Sequence, residues 1–419
     1  MKIQLSYGRT GLPVDFPLPV DVIRPRHVSG LADETAALQA ALRSPIGAAR
    51  LVEQVKAGSR VVIAHSDITR ATPNRRILPV LLAELEAAGV RREDIILLNA
   101  LGTHRQQTPA ELRAMLGDFV VDSYCCLQHD AYDDANLVSL GATTFGHPVR
   151  LNRTLLEADL KILTGFIEPH FFAGFSGGPK GVLPALAGAE SVLSNHGYSM
   201  IADPKATWGI CEGNPIWEEM REMALKVTPA FLLNVALNAE KQITGIFAGD
   251  VVAAHRAGRE FVRQNAMVKV AAAYDVVVTT NSGYPLDQNL YQTVKGMSAA
   301  SQIVRPGGAI LMAADCEDGL PDHGLYAQLL ADAGSPDAIL AMLARPGFNA
   351  QDQWQAQVQA NIQKKADVHV FSDGLSDEQI CRALFTPCRD LSASVQALAQ
   401  KHGSRVCVLP DGPLTIAYL

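Results

Sequence analysis

Long apolar runs are missing from this chain. No stretch approaches the roughly eighteen consecutive apolar residues that a membrane-spanning helix needs. The opening MKIQLSYGRTGLPVDF lacks the apolar core of a signal peptide. Cysteine is scarce too: seven residues, irregularly spaced, with Cys125 and Cys126 adjacent and no C-x-x-C. That excludes a disulfide framework and a structural zinc, and fits reduced thiols in a cytoplasmic protein. Basic charge is also short. Lys and Arg number 36 against 43 Asp and Glu, a net charge of −7, with no basic stripe. Nucleic acid is thereby excluded as the main partner, and an anionic substrate has to be held by locally placed Arg or Lys. The dinucleotide fingerprint G-x-G-x-x-G is absent, which disfavours a nicotinamide-dependent dehydrogenase. So is H-E-x-x-H, and no Cys/His cluster supports a conventional zinc site. Fixed-period repeats and low-complexity segments are missing as well.

What the chain does have is length and a steady α/β rhythm. Its 419 residues, 48% hydrophobic, suffice for two cores. Short β-branched runs alternate with amphipathic helical stretches, the signature of βαβ units and mostly parallel sheet. RVVIAH (60–65), DIILLNA (94–100) and DLKILTGFI (159–167) read as strands. NRRILPVLLAELEAAG (74–89) reads as a helix, and TPAELRAMLG (108–117) as another with Thr108 as N-cap. Residues 230–248 read as two strands about Asn238. A charged helix follows, and the pattern resets with strand YDVVVTT (274–280), a helix near 288–304, an RPGG turn and strand AILMAAD (309–315). The expected fold is therefore two α/β domains, residues 1–265 and 266–407, with the tail 408–419 expected to return to the first domain. The active site is expected in the cleft between them.

Four strands run straight into polar motifs at their carboxyl ends, where open parallel sheets bind ligands. VVIAH leads into SDITRATP, with Asp67 and Arg70. IILLNA leads into LGTHRQQT, with His104. LKILTGFI leads into EPHFFAGFSGGPKG, with Glu168, His170 and Lys180. VVVTT leads into NSGYPLDQNLYQTVKG, with Tyr291, Gln292 and Lys295. Each has a plainer alternative. The glycine turn before Lys180 is no Walker loop, because Pro179 precedes the lysine and Gly181 follows it. It is either a tight turn with a solvated lysine, or a place where Gly177 and Gly178 let backbone approach a ligand and hold a nucleophilic amine. Asp67 and Thr72 are equally candidates to cap the helix near Asn74, whereas the planar fork of Arg70 suits a carboxylate. His104 and His170, each just past a strand, can act as acid and base on opposite faces of a substrate. His196 in SNHG is a helix C-cap with Gly197 at C′, or a metal ligand. Gln292 and Lys295 share one helical face. His65, His129, His147, His323 and His402 are read as bystanders.

Taken together, DITRATP, GTHR, EPHFFAGFSGGPKG, SNHG and YQTVKG, in this order, resemble the nickel-dependent lactate racemase family over essentially the whole chain. The resemblance implies a racemase or epimerase of a 2-hydroxy acid that works by reversible hydride transfer through a 2-keto acid. It implies a nickel pincer nucleotide, the pyridinium-3-thioamide-5-thiocarboxylic acid mononucleotide, held by a covalent thioamide at Lys180 and made by cofactor-synthesis enzymes in trans. His196 then corresponds to the nickel ligand, and His104 and His170 to the acid/base pair. Arg70, Gln292 and Lys295, with Tyr291 beside them, correspond to substrate-positioning residues, Asp67 to the acidic residue nearby, and Trp354 to an aromatic close to the site. Pro179 and Gly181 depart from the more basic or polar neighbours usual in the family. An epimerase of a larger hydroxy acid or sugar acid, and a cofactor-free binding protein of the same fold, stay open as alternatives.

Overall fold

The computed structural model describes residues 1–321 and 324–419, so that His323 lies outside the described residues. The chain forms two compact units. One comprises His27–Asn195 and Gly209–Arg263; the other comprises Met1–Arg26, His196–Trp208 and Gln264–Leu419. Both are built on six-stranded sheets.

In the first unit the strands lie in the order Ile243–Gly249, Ala230–Leu237, Leu160–Phe166, Val61–Ser66, Ile95–Ala100 and Cys125–Gln128. Only the first pair is antiparallel, the hairpin about Asn238 expected from the sequence. Leu160–Phe166 is buried along its whole length, as a central parallel strand covered on both faces must be. Ile63, Ile77, Leu81, Leu97, Ile162 and Phe231 meet in its core. Helix Pro109–Leu116 begins as the sequence dictates. The Thr108 hydroxyl accepts from the Glu111 amide at 3.2 Å, and the Glu111 carboxylate takes the Thr108 amide at 2.7 Å.

The second unit's sheet is parallel throughout, in the order Thr386–Cys388, Ala366–Phe371, Val304–Ala313, Tyr274–Thr280, Val406–Leu409 and Asp21–Val22. This corrects the sequence-based division in two respects. The tail does not return to the first unit: Val406–Leu409 pairs with Tyr274–Thr280, and Ile416–Tyr418 pairs with Met267–Lys269. The N-terminus also belongs here, because the hairpin Lys2–Leu5/Leu12–Asp15 buries Ile3, Leu5 and Val14, with Phe16, among Val276, Leu311 and Val408. A third difference is local. RPGG does not end a turn before the strand; Val304–Ala313 runs through it, with a register shift opposite Tyr274 and Val276 and with Gly307 at φ +72°. Among the described residues, no helix is long and apolar enough to cross a membrane.

Candidate active site

Register decides which loops meet. Ser66 lies opposite Ala100, and Ala64 lies opposite Leu163, so three parallel strands of the first unit finish on one edge of the sheet. Asp67, His104 and His170 are among the first polar residues past those ends, where the sheet's own pattern leaves backbone free to serve a ligand.

Asp67 is buried, 4% exposed. One carboxylate oxygen accepts from the Thr69 amide at 3.1 Å and the Thr69 hydroxyl at 2.7 Å. The other meets Nδ1 of His104 at 2.5 Å. Neither Asp67 nor Thr72 caps the following helix. That helix has Pro73 at its N-cap with no side-chain cap, and the Thr72 hydroxyl pairs with Ser66 at 2.8 Å. Burial pushes the Asp67 carboxyl up. The hydrogen bond and charge of His104, the Arg70 guanidinium and the Thr69 hydroxyl outweigh that, leaving it below the usual carboxylate range. Nδ1 of His104 donates to the ionised Asp67, so that in the neutral form of the ring Nε2 holds the lone pair. The His104 side chain is 49% exposed and available to a partner.

The stretch 165–181 folds as a closed loop. Pro169–His170 pairs with Gly174–Phe175, and Ser176 ties the ends: its hydroxyl donates to Phe166 O at 3.0 Å and accepts from the Glu168 amide at 2.9 Å. Phe171, Phe172 and Phe175 are all buried. The His170 ring stands 5.0 Å from the ring of Phe171 and edge-on, at 4.6 Å, to that of Phe172. Nδ1 of His170 accepts the Ala173 amide at 3.3 Å, which leaves its proton on Nε2, the tautomer opposite to that of His104. Lys180 Nζ lies 5.9 Å from the centre of the same Phe172 ring. One phenyl group thus has the histidine and the lysine as neighbours.

The glycines before Lys180 face protein. A Cβ on Gly177 would sit 2.5 Å from Asn234 Oδ1, and one on Gly178 would sit 2.4 Å from Cγ of His255; both have positive φ, +75° and +54°. Packing inside the protein therefore blocks a side chain at either position. Asn234 Oδ1 accepts the Gly178 amide at 2.8 Å, and His255 Nε2 donates to Ser176 O at 2.9 Å. Sequence reasoning passed over both residues. The signal was there: Asn234 is the one polar residue in FLLNVAL, and a strand interior seldom keeps an amide without a bond to make.

The remaining candidates belong to the second unit. His196 is buried, and Trp354 turns an edge toward it at 5.3 Å. His196 is not a C-cap with a left-handed glycine after it: Gly197 has φ −74° and is the N-cap of helix Tyr198–Ala202. Helix Leu290–Ser301, capped by Asn289, carries Tyr291, Gln292 and Lys295. Lys295 Nζ donates to Gln292 Oε1 at 2.7 Å, so these two share the face expected of their spacing. Trp354 Nε1 donates to the Tyr291 hydroxyl at 3.2 Å.

Comparison with known proteins gives this arrangement its class. The model of the lactate racemase N-terminal domain matches residues 7–209, and that of the C-terminal domain matches residues 268–416. The protein is a racemase, an isomerase. The lactate racemase of Thermoanaerobacterium thermosaccharolyticum is 36% identical over 418 residues, 98% of each chain. That of Lactiplantibacillus plantarum is 37% identical over 383 residues, 90% of each. The chain belongs to the lactate racemase family. Its fold matches the lactate racemase apoprotein of T. thermosaccharolyticum with a TM-score of 0.93 at 34% identity, covering both chains fully. A Thermotoga maritima protein shares the fold at a TM-score of 0.70 and 18% identity, over 93% of this chain and 99% of that one.

Proposed function

We propose that this protein racemises a small 2-hydroxy acid of the lactate type, with a nickel pincer nucleotide attached to Lys180. The observations that support it best are that Asp67 holds His104 past one strand end and that His170, past another, shares Phe172 with Lys180. The residues suit such a group. Among the described residues, no set of three or more His, Cys, Asp or Glu could hold a metal ion. The family resemblance implies a metal carried on an organic nucleotide, which takes an amine as its anchor and an imidazole as a further ligand. Lys180 would be the anchor and His196 the imidazole. When bound, the nucleotide supplies an acceptor for hydride from C2 of the substrate.

The chain's own residues handle protons and orientation. His104 Nε2, its lone pair held outward by Asp67, takes the hydroxyl proton as the C2–H bond breaks and its electron pair leaves with the hydrogen. A planar 2-keto acid forms. For the return step His170 has to be the imidazolium, so that giving a proton to the carbonyl oxygen leaves it neutral as hydride returns to C2 on the opposite face. Exchange of the two histidines' roles serves the other enantiomer. Arg70 or Lys295 binds the carboxylate, and Gln292 orients Lys295. The buried phenylalanines exclude water, which would otherwise compete for the hydride.

The test uses protein produced together with cofactor-synthesis enzymes and given single enantiomers of C2-deuterated 2-hydroxy acids. Loss of optical purity with deuterium retained at C2 is expected. Exchange of that deuterium with solvent would point to proton abstraction and refute the proposal.

A further inference from the structure

Helix Gln353–Lys365 reads QWQAQVQANIQKK, and four of the amides in its first two turns are buried. Gln353, Gln355, Gln357 and Gln359 are 3%, 1%, 0% and 0% exposed. A buried amide is costly unless it makes a bond, so each calls for an account. Gln359 takes the Tyr326 hydroxyl and donates to Ala383 O at 2.8 Å, a bond within the scaffold. The others reach elsewhere. Gln357 Nε2 donates to Tyr198 O at 2.8 Å, and Gln353 Nε2, one turn earlier on the same face, makes a long bond of 3.5 Å to His196 O. The two amides grip both ends of the tripeptide His196–Gly197–Tyr198. Between them Trp354 meets the His196 ring, and Gln355 donates to Tyr291 O at the start of the helix that carries Gln292 and Lys295.

We infer that Gln357 and Gln353 are positioning residues for His196, fixing the backbone from which its imidazole is aimed. The inference rests on the reading of His196 as the metal donor. Its chemistry requires an amide. Both partners are carbonyl oxygens, so the side chain must donate. Glutamate cannot donate when ionised, and lysine would bury a charge. In Gln357 the donor end is the part in use, since among the described residues nothing donates to its buried Oε1, whereas Gln353 Oε1 accepts the Ala350 amide at 3.0 Å. The direction of the His196 imidazole depends on the backbone it springs from and on the ring of Trp354 packed against it.

The experiment compares Gln357→Met with Gln359→Met, equally buried on the same helix, in protein produced with cofactor-synthesis enzymes. Intact mass reads the Lys180 adduct, elemental analysis after a chelator challenge reads nickel, and thermal unfolding reads the fold. For Gln357→Met the adduct is expected to remain, with nickel affinity weaker by about tenfold. Gln359→Met is expected to hold nickel as the unaltered protein does, even where its melting temperature falls as far. Should Gln357→Met fail to fold, Gln353→Met carries the same expectation. Nickel held as firmly in the Gln357 and Gln353 variants as in the unaltered protein, or lost equally in Gln359→Met, would overturn the inference. Absence of a Lys180 adduct in the unaltered protein would instead refute the cofactor reading, and this inference with it.

Discussion

The ring of His255 occupies the space that a Cβ on Gly178 would enter, with Cγ 2.4 Å from that position. Alanine at 178 also has to adopt φ +54°, in the left-handed region. Strain and overpacking together are expected to cost about 2–4 kcal/mol, read from the denaturant midpoint. Gly181→Ala is the control in the same turn. Its Cβ would meet Leu163 at an ordinary 3.6 Å, so stability is expected to change little.

Asp67→Asn removes the charge that orients His104. Stability at neutral pH is expected to fall by about 2 kcal/mol, since a hydrogen-bonded buried carboxylate is lost. The sign with pH follows from the lowered Asp67 value. Its contribution is present above the ordinary carboxylate range and disappears as pH falls through the folded-state value. The gap between the two proteins should therefore close in acid, measured by urea unfolding across pH.

Two other buried imidazoles set a second pH dependence, in a different window. Burial pushes His65 down to about 4 and His255 to about 3, from an ordinary 6.5. Each takes up a proton on unfolding once pH drops below about 6.5, so stability should decline between there and about pH 4, by about 1.4 kcal/mol per pH unit for each histidine. His255→Gln keeps a donor for Ser176 O and removes one titrating ring. The slope of unfolding free energy against pH in that window is expected to fall accordingly.

His104→Gln and His170→Gln should each slow racemisation by about 10²–10⁴-fold, with nickel retained. His196→Ala should lose nickel and keep the Lys180 adduct, and Lys180→Ala should lose both. Optical purity, elemental analysis and intact mass check the three outcomes. Full turnover in both directions by His104→Gln would sink the two-base scheme.

Much of this was legible because it is local. Thr108, Pro109 and Glu111 announce a helix start within four residues, and the Gln292–Lys295 spacing announces a shared face. Strand ends feeding polar loops located Asp67, His104 and His170, because a parallel sheet puts such ends on one edge. What escaped was settled by contacts distant in sequence. Nothing near Ile3 or Phe16 says that they pack against Val276 and Val408. From the sequence Asp67 was a candidate to cap the helix near Asn74, and only the fold brings His104 within its reach. Gly177 and Gly178 were read as a tight turn or a place for ligand approach, whereas the groups that crowd them, Asn234 and His255, lie over fifty residues downstream.

The interleaving of the two units bears on how the protein emerges from the ribosome. The unit ending at Arg263 has all its strands once that residue is made, and can fold while synthesis continues. The apolar hairpin Lys2–Leu5/Leu12–Asp15 has no such option. Ile3, Leu5 and Phe16 must wait for Val408, far along the chain. Until that strand is made they form an exposed greasy ribbon, a natural target for a chaperone that holds nascent chains.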